Sequence, residues 1–351
     1  MQGEYETANA SHIEFVTDPF PETTDGERRL SDAMDSITAV VATLRERARP
    51  NQTVWVPATD LVSQGVTAAR PEVQVQADAN PSSNPQVTGA IRLDRLQHFF
   101  ESFATQTSRV RTMFGANLGA GSAMIDTAAA TYKRSTGKNA SPQLKGLLNV
   151  IRNYVIDSRR VHAYPKAMAK ILMRTDFATA FKLLPEARTI SRKLWVKIVA
   201  EASNEQNLDR PMLVIAPRGL NETVDQYKAR AKDHLTLRKW LHDIHGGTDT
   251  MTSANYPRQD TRADMESMGS LGSRTETVTA TSKKGKQITY AAPIMEIRTL
   301  MRPLPLNFLK PFALDVFGNI RRLNQSRTAP AMRTTHLDVV NPPAVAAVAV
   351  A

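Results

Sequence analysis

Between Arg188 and Lys197 the chain sets four cations around one short apolar stripe. An α-helix turns about 100° per residue. With Arg188 at the origin, Arg192, Lys193 and Lys197 fall near ~40°, ~140° and ~180°, while Ile190, Leu194, Ile198 and Trp195 fall near ~200° to ~340°. One half of such a helix is cationic and the other apolar. Lys166, Lys170 and Arg174 form a second i, i+4 stripe, and Arg159-Arg160 precede it. Like charges at this spacing cost a few tenths of a kcal/mol each. A helix that stacks them without acidic partners gains when a phosphate backbone arrives, whereas an ordinary solvated face mixes both signs. The chemistry these residues offer is electrostatic capture of a polyanion, and the sequence predicts that all nine of them contact it.

Other constellations are weaker. His234, His242 and His245 stand near one helix end, and His242 and His245 share a face. Zinc could be held there, but a cap on the exposed carbonyls of a helix C-terminus is the preferred reading. The run Arg134-Ser-Thr-Gly-Lys138 has the composition of a phosphate loop without Walker glycine spacing, so it reads as a basic loop. No Ser/His/Asp set stands out, and paired carboxylates are scarce in the basic segment. With no cysteine in the chain, disulfides, thiolate catalysis and cysteine-based zinc sites are excluded. The expectation is a protein that is not an enzyme and needs no cofactor.

Charge distribution points the same way. The formal net charge is +11 over 351 residues, but residues 1–95 carry −6, residues 96–245 carry +12 and residues 246–351 carry +5. This asymmetry suggests a polyanion-binding body with an acidic arm. Aromatic residues make up 6% of the chain, which leans toward a helical core built from Ala, Leu and Met. No run approaches the ~20 apolar residues of a membrane span, and the acidic N-terminus lacks the apolar run of a signal peptide.

The elements that must position the cations follow from periodicity. Residues 1–30 read as an acidic arm, and Leu30–Arg49 as a helix capped by Ser31 and stopped by Pro50. Thr53–Val56 suggests a short strand, and 68–86 a Pro/Gln/Asn-rich linker. From Ile91 onward apolar residues recur at helical spacing: Leu96, Phe99, Phe100 and Phe103; then Leu144 to Val155; Met168, Ile171 and Leu172; Phe177 to Leu184; Ile190 to Ile198; and Val224 to Ile244, closed by Gly246-Gly247. Residues 246–275 read as a long loop. Thr275–Tyr290 predicts a β-hairpin turning at Lys283-Lys284-Gly285-Lys286. A last helix runs from Leu306 to Leu323, and the tail NPPAVAAVAVA reads as an extended arm. The predicted fold is mainly α: a helical-bundle core with extended N- and C-terminal arms and a small β-hairpin. Its segments are an acidic arm with a short helix and linker (1–90), a basic helical core (91–325) and a C-terminal arm (326–351).

Ala313-Leu314-Asp315-Val316, with Ser326-Arg327-Thr328, Arg333 and His336 downstream, resembles an Ala-Phe-Asp-Phe element and a following Ser-Arg-Thr…Arg…His element. Both belong to coat proteins of flexible filamentous plant viruses of the potyvirus type. The likeness covers roughly 25 residues. The spacing from Asp315 to Ser326 is longer than in that family, and the Ser and Arg of the family's upstream RNA pocket have no assigned counterpart. The resemblance implies an α-helical core with flexible arms, subunits wound helically around single-stranded RNA, and Asp315 orienting an arginine in the RNA pocket beside Arg327 and Arg333.

Together these readings predict a viral coat or nucleocapsid protein. It would bind single-stranded RNA through its basic core and assemble in many copies, in the virion and, during assembly, in the host cytoplasm. Tyr132, Tyr154 and Tyr164, which lie among basic neighbours, are candidates for stacking on bases. The alternative is a non-enzymatic scaffold or matrix protein whose basic face meets anionic membrane or protein.

Overall fold

A computed structural model describes residues 5–7, 10–11, 15–48, 53–62, 72–76, 82–83, 85–105, 122–159, 171–210, 223, 225–226, 236–247, 271–282, 284–298, 304–326 and 336. The fold is mainly helical, with a few antiparallel strands in small sheets. The chain divides into two compact units, one formed by residues 1–85, 303–321 and 333–351, the other by 86–302 and 322–332.

In the first unit, helix α1 (Thr24–Arg47) begins where Thr23 Oγ1 accepts the Gly26 N–H at 3.1 Å. Asp25 and Glu27 lie in its first turn and Arg45 and Arg47 in its last, in the sense the helix dipole favours. The helix therefore starts well before the predicted Ser31 cap and takes residues 24–30 out of the expected arm. Gly26 lets the first turn lie against the chain before it, because a Cβ there would sit 1.9 Å from the Pro21 carbonyl oxygen.

Leu30, Met34 and Ile37 pack with Leu309, Ala313 and Leu314 of the C-terminal helix, and Val40 and Leu44 pack with Val56 and Leu61. The three-and-four spacing of these positions puts one stripe of the helix into the core. Strands β1 (Tyr5–Thr7) and β2 (Ala10–Ser11) pair with each other. Strand β3 (Thr53–Pro57), followed by the short helix α2 (Ala58–Val62), pairs antiparallel with β4 (Glu72–Gln76), which lies in the stretch expected to be linker. A short strand β5 (Ser82–Ser83) pairs with a segment at Leu304–Pro305.

The second unit is organised around one sheet and, among the described residues, six complete helices that follow the first strand. Strand β6 (Gln86–Ala90) leads into α3 (Leu93–Thr105), and α4 (Ser122–Thr136) and α5 (Pro142–Asp157) come next. Strand β7 (Ile171–Met173) precedes α6 (Phe177–Lys182), α7 (Arg192–Ser203) and α8 (Leu237–Gly246). Strands β8 (Thr275–Thr281) and β9 (Gln287–Arg298) form the predicted hairpin.

β9 outruns its expected end at Tyr290. Its first half pairs with β8, and its second half is flanked by β6 on one side and β7 on the other. This corrects two sequence readings. Residues 86–90, the end of the segment 1–90 expected to be arm, short helix and linker, are strand, and Ile171–Met173, read as part of a helical stripe, is a strand with all three residues buried. A three-residue apolar run carries no period that separates the two structures.

The core of this unit is aromatic as well as aliphatic. Phe177 meets both Tyr154 and Trp240 edge-on, and Phe181 packs against Trp195. The polar handles are satisfied: Trp195 Nε1 donates to the Leu241 carbonyl at 3.0 Å, and the Tyr154 hydroxyl accepts the Met173 N–H at 2.7 Å. Tyr132 and Tyr154 are each 2% exposed, so neither offers a ring for base stacking, and Tyr164 lies outside the described residues.

Helices α3 and α5 touch at Gly146, where a Cβ would stand 2.2 Å from the Leu93 carbonyl oxygen. The last helix, α9 (Leu309–Gln325), supplies 309–321 to the first unit and 322–325 to the second. The sequence had assigned all of it to the basic core. No helix among the described residues is long and apolar enough to cross a membrane.

Candidate nucleic-acid interface

The start of α7 decides how the predicted cations are displayed. Ser191 Oγ accepts the Leu194 N–H at 3.2 Å, so the helix begins at Arg192. Arg188 and Ile190 therefore belong to the turn before it, and the four cations do not form the single helical stripe the sequence predicts. Arg192 and Lys193 occupy the first turn, Lys197 the next, and Arg188 projects from the preceding turn; all four are exposed. Beneath them Trp195, Val196, Ile198, Val199 and Ala202 are buried. None of the four forms an ion pair with a described residue.

The turn that carries Arg188 is held by a buried carboxylate. Glu186, 6% exposed, accepts the Ser141 N–H at 2.8 Å and the Ser141 hydroxyl at 2.9 Å. Ser141 is also the N-cap of α5, accepting the Leu144 N–H at 3.1 Å. The contact joins the loop containing Lys138 to the turn containing Arg188, each within three residues of it. Glu186 is the one carboxylate in the sequence between Asp176 and Glu201, and residues 127–156 have none. Its charge is spent inside the fold, and no acidic side chain from these two stretches offsets the exposed cations.

The C-terminus of α8 lies at the same place. His245 Nε2 is 2.9 Å from the Ile190 carbonyl oxygen, and Lys182 Nζ donates to the Gly247 carbonyl at 3.4 Å. The helix itself ends on Gly247 in the left-handed region, φ 77°. Thus Lys182 answers the α8 carbonyl end, and His245 ties that end to the turn before α7, in place of the simple histidine cap expected. His234 lies outside the described residues, and no cluster of three metal-ligating side chains occurs among the described ones.

Partial burial, with the positive charges of Arg192 and Arg238 next in weight, holds His242 below the ordinary histidine range, against a smaller opposing effect of Asp243. A base depressed in the folded state is protonated first in the unfolded chain, so stability is lost as pH falls below the unfolded value of about 6.5. Melting curves from pH 7.5 to 5 are expected to show this loss in the native protein and a smaller one in His242→Gln. Equal pH dependence in the two would place the titration elsewhere.

The remaining predicted contacts separate into two groups. Arg159 pairs with Glu205 at 3.1 Å and donates to the Ser203 and Asn204 carbonyls at 3.0 and 2.9 Å. Arg210 reaches the same Glu205 at 2.7 Å, so the ends of α5 and α7 are tied together. Burial pushes the Glu205 carboxyl up, but hydrogen bonds from Arg210 and Arg159 outweigh it and hold it below the usual range. Arg174 pairs with Glu296 of β9, which is 3% exposed. Arg159 and Arg174, both predicted contacts, act here as internal ties. Asp315, 5% exposed on α9, accepts the His336 N–H at 3.0 Å, so the structure brings together two residues of the C-terminal resemblance. Arg160, Lys166, Lys170, Arg327 and Arg333 lie outside the described residues.

What the structure assembles is therefore a cationic end made of Lys138, Lys182, Arg188, Arg192 and Lys193, with Lys197 one turn along α7. Lys138 carried a signal in the basic loop RSTGK. Lys182 carried none, because its neighbourhood depends on a contact with Gly247, 65 residues away. Comparison with protein-family models, with curated proteins and with solved structures returns no match.

Proposed function

We propose that the protein binds single-stranded RNA by its phosphates at this cationic end, as a viral coat or nucleocapsid subunit. The observation that carries the reading is the set of exposed cations at the turn and first turn of α7, beside a carboxylate already consumed by Ser141. Cations in a helix's first turn oppose its dipole, at about 0.3–1 kcal/mol each. A polyanion offsets that cost, and phosphate also suits the free N–H groups of a helix N-terminus. Lysine and arginine would neutralise phosphates and release counterions, without reading sequence.

In this proposal helices α3 to α8 form the bundle-like RNA-binding body. The two chain ends act as arms that hold neighbouring copies, and the product is a helical filament in the virion, built in the host cytoplasm. The Asp315–His336 contact agrees with the resemblance to filamentous coat proteins, since both residues come from its two elements.

The protein purified from an expressing cell tests this. An absorbance maximum near that of nucleic acid, lost with ribonuclease together with filaments in negative stain, supports the reading. Nucleic-acid-free protein that stays dispersed when single-stranded RNA is added removes it. Binding to anionic vesicles but not to RNA selects the scaffold alternative instead.

A further inference from the structure

The β8–β9 hairpin has no part in the cationic end, yet its composition is unusual. Residues 277–291 contain Lys283, Lys284 and Lys286 and no carboxylate. The turn does not need these side chains. Ser282 N–H donates to the Lys286 carbonyl at 2.7 Å, Lys286 N–H donates to the Ser282 hydroxyl at 2.9 Å, and Gly285 takes the left-handed conformation, φ 77°. Lys284 and Lys286 are exposed and make no ion pair with a described residue. Lys283 lies outside the described residues.

The strand register supplies the second observation. Thr279 faces Thr289 and Thr281 faces Gln287, with Thr277 next along β8; all five side chains are exposed. Successive side chains of a strand alternate between faces, so these five share one face. The opposite face carries Val278 and Ala280, which are buried. The exposed face is thus a row of hydroxyls and one amide, running up to a lysine tip. Like-facing residues along a strand recur about every 6.7 Å, comparable to the separation of successive phosphates in an extended single strand. Hydroxyl, amide and ammonium groups are the side-chain donors that phosphate oxygens accept from. The middle of the hairpin is held by Arg92, whose guanidinium lies 3.8 Å from the ring centroid of Tyr290, the residue opposite Val278.

We propose that this hairpin is a second backbone contact for the nucleic acid, with Lys284 and Lys286 neutralising phosphates and the Thr277–Thr279–Thr281 row tracking the strand. The inference rests on the nucleic-acid reading above. The cationic end of α7 and the hairpin then grip different stretches of one strand, so each should contribute its own share of the salt dependence.

The test uses the full-length protein and a fluorescent oligouridylate over a salt series, comparing the native protein with Lys284→Gln/Lys286→Gln. The double variant changes two exposed side chains in a turn closed by other groups, and circular dichroism checks that the fold is kept. The expected result is weaker binding and a log K against log[salt] slope shallower by about 1.4, at ~0.7 per phosphate lost. A parallel measurement follows acetylation of the two lysines by mass spectrometry, with protection expected on adding the oligonucleotide. Unchanged affinity and slope, with both lysines equally reactive, overturns the hairpin contact while leaving the α7 site in place. Protection that follows protein concentration and ignores the oligonucleotide also overturns it, by pointing to a neighbouring copy. If the native protein binds no oligonucleotide, both readings fail.

Discussion

Replacing Arg188, Arg192, Lys193 and Lys197 together with Gln should weaken single-strand binding by two to three orders of magnitude at about 0.1 M salt. The loss follows from four phosphates no longer neutralised, each worth roughly 0.7 in the salt slope, or about 2.8 in all. All base sequences should be affected to a similar degree, because backbone contacts carry no sequence information. The fold should not suffer. The four side chains are exposed, and none pairs with a described residue. Two of them sit in the first turn of α7, where their charge opposes the helix dipole, so the melting temperature should hold or rise by about a degree or two. Removal of Arg192 also takes away one of the charges that depress His242, whose titration should move back toward the ordinary histidine range. A large fall in melting temperature with binding intact would mean that these residues pair within the fold.

Arg174→Gln should do the opposite, destabilising the protein while leaving RNA binding nearly unchanged. Its guanidinium pairs with Glu296, a carboxylate 3% exposed in the second half of β9, where that strand is flanked by both β6 and β7. Removing one partner of a buried ion pair costs about 3–5 kcal/mol. For a unit of this size each kcal/mol is worth about 2–4 °C, so a fall on the order of 10 °C is expected in thermal unfolding. An affinity loss without a stability loss would return Arg174 to the binding surface, where the sequence had placed it.

The contrast between these two variants shows what could be read in advance. Periodicity located α3, α5, α7, the hairpin and α9 because each has an apolar stripe or an alternation that only one structure satisfies. It failed at Ile171–Met173, where three buried residues pair with β9 and have no face to alternate. It failed at Thr23, because an N-cap followed by Gly26 resembles a turn until Pro21 is known to pack there. The candidate site was half legible. A cation without a nearby carboxylate in sequence can still find one in space: Arg174 meets Glu296 and Arg159 meets Glu205, across 122 and 46 residues. The cations of α7 kept their exposure because the one carboxylate beside them in sequence, Glu186, turns inward to Ser141. Such long-range pairings leave no periodic trace, so charge patterning identifies a basic region more readily than the residues in it that remain available.

Binding of a labelled single-stranded RNA to the intact protein, from about 50 to 200 mM salt, tests the central claim most directly. The account predicts tight binding at the low end and a linear fall of log K with log[salt], steep enough to require several phosphates. An absence of binding at the low end, or an affinity indifferent to salt, would contradict it.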